Sequence, residues 1–204
     1  MYVRLIYVTG DPRRIDDAIT AVTKQAPELL REQPGYRGVA VLADRELGKL
    51  IIGSYWDDAQ AAQRSDEALR ERLAQSLTPF AASMSVELYE IAVGHEARQP
   101  GAGAATRVLR MEFDPAAADE RIAAFRGTLD KLEGTPGFCR VAYFVDRQRG
   151  RAVVALTYAD RDTLTASRSS GAALRAELNH QTQHSAATRS LEELDVVLFE
   201  APTS

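Results

Sequence analysis

A few side chains in this 204-residue chain are equipped for chemistry on a small molecule. Trp56, the single tryptophan, ends an apolar run, where it could stack on an aromatic ligand or simply anchor a helix to a sheet. Tyr158 ends a similar run later in the chain. Tyr7, Tyr36, Tyr55 and Tyr143 offer phenolic hydroxyls that would grip an oxygen-bearing ligand, although tyrosine is also an ordinary strand residue. Arg4 and Arg107 open two similar strands. An inward guanidinium there would stabilise a phenolate or an oxyanion, and an outward one would be solvated. His180 is the best proton acceptor in the chain if its helix faces a pocket, because an imidazole titrates near neutrality. His184 follows on the same helical face, yet neither a third ligand nor a metalloprotease-type glutamate accompanies the pair, so no metal site is expected.

These residues sit in a chain that repeats itself. Pro34-Gly35-Tyr36, Val39-Ala40, Asp44-Arg45, Gly48-Lys49 and Asp58 recur as Pro136-Gly137-Phe138, Val141-Ala142, Asp146-Arg147, Gly150-Arg151 and Asp160, all at an offset of 102 residues. Each half reads strand, helix, strand, strand, helix, strand. Asp11-Pro12 and Asp114-Pro115 start the first helices, the carboxylate accepting from first-turn amides and the proline having no amide to leave unpaired. Ile15, Ala18, Ile19 and Val22 form one apolar stripe, and Ile122, Phe125, Leu129 and Leu132 its counterpart. Pro27 is expected to break or restart the first of these helices.

Gly48 and Gly150 supply the positive φ that closes each hairpin. Asp57 or Asp58, and later Asp160, cap the second helices, and a small insertion surrounds Ser169-Ser170-Gly171. The last strands are read at Val86–Val93 and Asp195–Phe199. The boundaries are a first repeat over 1–94, a Gly- and Ala-rich linker over 95–105 that holds His95, and a second repeat over 106–204. A βαββαβ unit of this length is a ferredoxin-like sheet with both helices on one face. Its other face is apolar and is covered most economically by the second repeat.

The bulk numbers exclude several classes. A net charge of −4 and arginines scattered among acids leave no footprint for nucleic acid, and no apolar run is long enough for a membrane span. Nothing at the N-terminus reads as a signal peptide, so the expected compartment is the cytoplasm. The single cysteine, Cys139, rules out an internal disulfide and reads as a semi-buried strand residue.

The Pro-Gly-aromatic entry to the second strand, the apolar strand ending in Tyr55-Trp56, and the following Asp58, Ala61, Ala62 and Ser65 resemble the antibiotic biosynthesis monooxygenase family of the dimeric α/β-barrel superfamily. In that family each subunit is one ferredoxin-like unit and two subunits form the barrel. The resemblance therefore implies an α+β chain whose two ferredoxin-like βαββαβ repeats pack sheet to sheet as an intrachain dimeric α/β barrel. It also implies a cofactor-independent monooxygenase acting on a small phenol- or quinol-like aromatic, with neither metal nor flavin. Trp56, Tyr7, Tyr55, Tyr158, Arg4 and Arg107 would bind substrate and His180 would accept a proton. The alternative is a non-catalytic small-molecule-binding or interaction protein of the same fold. Haem degradation is disfavoured, because strand one lacks the Asn of haem degraders and neither Trp nor His lies between Gln60 and Leu77. Further pairing into a homodimer of the two-repeat chain is compatible with the family. The difference of Trp56 from Tyr158, and of Gln75 from the His180 region, predicts that the two repeats have diverged in role.

Overall fold

Both repeats start on a strand that runs into an aspartate-proline pair. The computed structural model describes residues 1–182 and 185–200. In the first repeat β1 (Tyr2–Gly10) leads to Asp11, whose carboxylate accepts from the Arg13 amide at 3.0 Å, and a 3-10 turn at Pro12–Arg14 opens α1 (Ile15–Arg31). β2 (Tyr36–Asp44) and β3 (Lys49–Trp56) form the hairpin, α2 (Ala59–Leu77) follows the Asp58 cap, and β4 (Ala81–Glu96) ends the repeat. The second repeat holds β5 (Ala105–Glu112), α3 (Ala118–Arg126), α4 (Leu129–Glu133), β6 (Phe138–Asp146), β7 (Arg151–Tyr158), α5 (Arg161–Ala166), α6 (Arg168–Gln181) and β8 (Ala187–Glu200). Asp58 and Asp160 cap their helices identically, each accepting from the amide three residues on at 2.7 Å. Cys139 is buried near the start of β6.

The strands hydrogen-bond in the closed order β1-β3-β2-β8-β5-β7-β6-β4, the order expected of an α+β barrel made from two ferredoxin-like repeats in one chain. Both hairpins are antiparallel and carry a register shift at their Pro-Gly end, between Tyr36 and Gly38 and between Phe138 and Arg140. Tertiary contacts divide the chain into a unit of residues 1–89 with the end of β8 from Val196 on, and a unit Glu90–Asp195. These divisions fall inside β4 and β8, which begin at Ala81 and Ala187, earlier than the Val86 and Asp195 read from the sequence. In β4, Ala82–Glu87 alternate apolar and polar residues as a strand does, yet their side chains are mostly exposed, Met84 and Val86 among them. His95 belongs to β4, with Nε2 2.9 Å from Glu133 Oε2.

Three helix readings are corrected. α1 runs unbroken through Pro27, whose ring is buried with Ala26 and Leu30, a gain that offsets the missing backbone bond. The stripe Ile122, Phe125, Leu129, Leu132 spans two helices. Thr128 Oγ1 donates to the Phe125 carbonyl at 2.7 Å and ends α3, while Ile122, Phe125 and Leu132 stay buried. Ser167 acts similarly between α5 and α6, donating to Leu164 O at 2.7 Å, so Ser169-Ser170-Gly171 is the first turn of a helix and not an inserted loop.

Gly48 and Gly150 adopt φ of +60° and +58° at the hairpin ends. The Gly150 carbonyl accepts from the Phe113 amide at 2.8 Å, and a Cβ at Gly150 would stand 2.0 Å from the Phe113 oxygen. Gly103 also has positive φ, +83°, but with open space around it. Gly103→Ala should therefore cost about 1–2 kcal/mol, the left-handed strain alone. Gly150→Ala should cost roughly 3 kcal/mol or more, because backbone must also move. Urea midpoints of the two variants check the order.

Candidate functional site

Alternation along β1 and β5 decides which side chains face the helices. In the first unit Arg4, Ile6 and Val8 pair with Ser54, Ile52 and Leu50, and the aliphatic members of this set pack with α1 and α2 in one core. Tyr7 and Tyr55 are on the opposite face of the sheet, since Tyr7 falls between Ile6 and Val8 and Tyr55 pairs with Val3. That corrects their expected place in a pocket between sheet and helices. In the second unit Arg107, Leu109 and Met111 occupy the helix-facing positions, with Tyr143, Val154, Leu156 and Tyr158 beside them on β6 and β7.

Between these side chains and the helices of the second unit lies a cavity of about 270 Å³. It exists because α6 seals the sheet incompletely. None of its residues is buried, whereas α2 buries Ala61, Ala62, Ser65, Leu69 and Leu77. The corresponding space in the first unit is about 10 Å³, closed by Val22, Leu30, Leu73 and Leu77. The space under the helices is thus open in the second unit and filled in the first.

Polar groups cluster at two places along the cavity wall. At one, Arg121 on α3 donates to Thr182 Oγ1 at 3.1 Å and Asn179 Oδ1 at 3.3 Å, and its guanidinium carbon lies 5.6 Å from the Phe113 ring centre. Arg121 also hydrogen-bonds the Tyr143 hydroxyl. Burial pushes the pKa of that phenol up despite the nearby cation, so Tyr143 stays protonated at neutral pH and serves as a donor rather than a base. At the other, Arg107 is 1% exposed. It donates to Glu193 Oε1 at 2.8 Å, Leu164 O at 2.7 Å and Ser167 Oγ at 3.1 Å. Burial alone would raise the Glu193 pKa, but hydrogen bonds from Arg168 and Arg107 outweigh it and hold the carboxyl ionised. Gly171 and Arg175 on α6 complete this second cluster.

The candidates from the sequence separate accordingly. Arg107 and Tyr158 line the cavity, with Tyr158 buried beside Phe138. Arg4 is inward and buried, yet it is committed to the first unit's packing: it donates to Ala62 O at 3.0 Å and lies 5.3 Å from the Trp56 ring centre. Trp56 is fully buried, donates Nε1–H to Ser54 Oγ at 2.9 Å and meets Tyr36 edge-on, so it is a packing residue. His180 is exposed on the last turn of α6 and does not line the cavity. It stands two residues after Leu178, about 200° round the helix from the face that looks inward. His184 lies outside the described residues. Tyr143, one of the phenols singled out in the sequence, also lines the cavity, whereas Arg121 and Arg175 were not among the candidates. Arg121 precedes Phe125 by one turn on the buried face of its helix, and Arg175 precedes Leu178 in the same way, which is the signal that marks both.

Among the described residues, no helix is long and apolar enough to cross a membrane. The chain matches the model of the antibiotic biosynthesis monooxygenase family over residues 1–76. It is 31% identical over 180 residues to an uncharacterized protein of Mycobacterium tuberculosis strain H37Rv, covering 86% of this chain and 79% of that one. Its fold is similar to that of a candidate monooxygenase from Lactobacillus acidophilus NCFM, with a TM-score of 0.71 at 10% identity over 98% of this chain and 95% of that one. An anthrone oxidase-like protein is similar at a TM-score of 0.69 and 12% identity, over 98% and 92%.

Arg4 and Arg107 occupy equivalent positions with different debts to their surroundings. Arg107→Met strips a nearly buried Glu193 of one of its two arginines and should cost roughly 3 kcal/mol. Arg4→Met removes a single carbonyl bond and weaker contacts, and should cost about 1 kcal/mol. Urea denaturation of both variants measures the difference, and equal losses would show that Glu193 needs only Arg168.

Proposed function

Because the chain belongs to the antibiotic biosynthesis monooxygenase family, we propose that it is a cofactor-independent monooxygenase that holds a small phenol- or quinol-like aromatic in the cavity of its second repeat. The observation that carries this reading is the asymmetry of the repeats, about 270 Å³ beside Tyr143 and Tyr158 against about 10 Å³ beside Arg4. For scale, an apolar cavity of about 150 Å³ takes benzene, so this one has room for a two-ring aromatic. Leu109, Phe125, Leu156 and Leu174 give it apolar walls.

In this reading the phenol oxygen rests against Tyr143, with Arg121 behind it. The protonated Tyr143 hydroxyl donates to the substrate oxygen, and the guanidinium lowers the cost of ionising that oxygen. The resulting phenolate is electron-rich enough to reduce dioxygen while the apolar walls exclude bulk water. Oxidation of a phenol to a quinone places one oxygen atom on the ring and releases the other as water. The substrate supplies all four electrons, so no further reductant enters. The substrate binds as the phenolate, its proton left in bulk water on entry, and the Arg121 guanidinium favours that ionised form in the cavity.

The absence, among the described residues, of an imidazole from the cavity wall favours a second reading, a binding protein that holds an aromatic without oxidising it. Oxygen uptake with a panel of phenols and quinols separates the two. The oxygenase reading expects one dioxygen consumed per substrate and no peroxide. Ala124→Phe, which fills the cavity from α3, should lower the rate at least about tenfold while leaving the thermal midpoint near that of the parent. Binding without oxygen uptake would sink the oxygenase and keep the binding protein. The pH profile gives an independent check. The rate should rise with substrate ionisation at a pH below the free phenol's pKa, and Tyr143→Phe should move that rise upward.

A further inference from the structure

The second polar cluster of the cavity is not used by the oxidation described above. On α6, Gly171 and Asn179 are eight residues apart, roughly 12 Å along the helix axis. The Arg107 cluster is therefore well separated from the Arg121 and Tyr143 cluster, and each faces the same cavity. A methyl carbon at Gly171 would lie 3.1 Å from Arg107 Nη1 and 3.6 Å from Arg175 Nη1. Two guanidinium groups thus converge on a gap left by a missing side chain. Glycine in a helix gives up about 1 kcal/mol relative to alanine, and nothing in the backbone demands it here, since Gly171 lies inside α6 without positive φ.

The charges around this gap are unbalanced. Arg107 is matched by Glu193, which also serves Arg168. Among the described residues Arg175 has no hydrogen bond or ion pair of its own, and burial together with the neighbouring Arg107 lowers its pKa. Four cationic side chains, Arg107, Arg121, Lys131 and Arg175, line the cavity against one anionic side chain, Glu177, in a chain whose net charge is −4. An acidic protein that gathers cations around an apolar cavity focuses a positive potential there.

We propose that the cavity takes an aromatic bearing a carboxylate, docked beside Gly171 on Arg175 with Arg107 behind it. The proposal rests on the cavity being the ligand site, and it adds that the ligand is a hydroxyaryl carboxylate. The phenol oxygen reaches Tyr143 and the carboxylate reaches the two guanidiniums at the other end of α6. Arginine suits the task, since its planar fork binds carboxylate more strongly than a neutral donor would. Gly171 keeps the gap open.

Calorimetric titration with 6-hydroxy-2-naphthoate and its neutral isostere 6-hydroxy-2-naphthamide tests the proposal on the intact chain. The carboxylate should bind at least about tenfold more tightly, and the preference should shrink with added salt. Arg175→Gln should erase the preference and Arg175→Lys should keep part of it. Gly171→Ala, whose methyl would stand 3.1 Å from Arg107 Nη1 in the gap itself, should weaken the carboxylate at least about tenfold. Equal affinity for the two probes, or a preference that survives Arg175→Gln, overturns the proposal. Failure of both probes to bind overturns it together with the cavity reading. Selective carboxylate binding without oxygen uptake leaves the anion subsite standing and sinks only the oxygenase.

Discussion

A guanidinium buried on the helix-facing side of the first strand of each repeat has to be satisfied by the helix packed over it. Desolvating such a group is costly, and burial is the largest influence on the Arg4 pKa, pulling it down against the raising effect of Asp66. The first repeat answers with a continuous α2, in which Ala62 O and Ser65 receive Arg4 while Asp66 balances its charge. The second repeat breaks the helix at Ser167. The interruption frees Leu164 O and Ser167 for Arg107, and Glu193 on β8 supplies a carboxylate in register with it. The same interruption starts α6 anew, as a helix whose leucines only half cover the sheet. One polar obligation, met in two ways, accompanies a packed unit and a hollow one.

Much of the scaffold was legible because its signals are local. The caps at Asp58 and Asp160, the positive-φ glycines at 48 and 150 and the paired register shifts each depend on a few neighbouring residues, and the 102-residue offset doubles every one of them. The site was less legible, for a reason visible in Tyr7 and Tyr55. Strands buried on both faces are apolar throughout, so alternation says that two faces exist without saying which one meets the helices. The cavity is harder still, since it is an absence summed over many side chains and no single residue announces it. His180 was a different kind of miss. The stripe through Leu174 and Leu178 already points away from it, and taking that stripe as the inward face would have selected Arg175 and Thr182 instead.

Divergence between the repeats therefore follows a simple division. Residues that shape the chain are held in both copies, and residues that fill or line the space under the helices are not. Trp56 against Tyr158 belongs to the second group, and so does Leu77 against the hollow beneath α6. A duplicated fold allows this because one copy can remain solid and stabilising while the other gives up packing. Each lost methylene of burial costs about 0.8 kcal/mol, a loss that a single-repeat domain of this size would feel more acutely.

The ends of β4 and β8 carry a further consequence, which concerns the order of events during synthesis. The first unit is not finished by its own repeat: Val197 and Leu198, near the C-terminal end of the described chain, pack onto its core. A nascent chain that has emerged through α2 holds most of that core but lacks the strand that completes it, and must wait with the β2 edge unpaired until the second repeat has been translated. Two units that look like independent modules in the sequence are thus bound to a common schedule, in which a strand made after the helices of the second repeat finishes the part begun first.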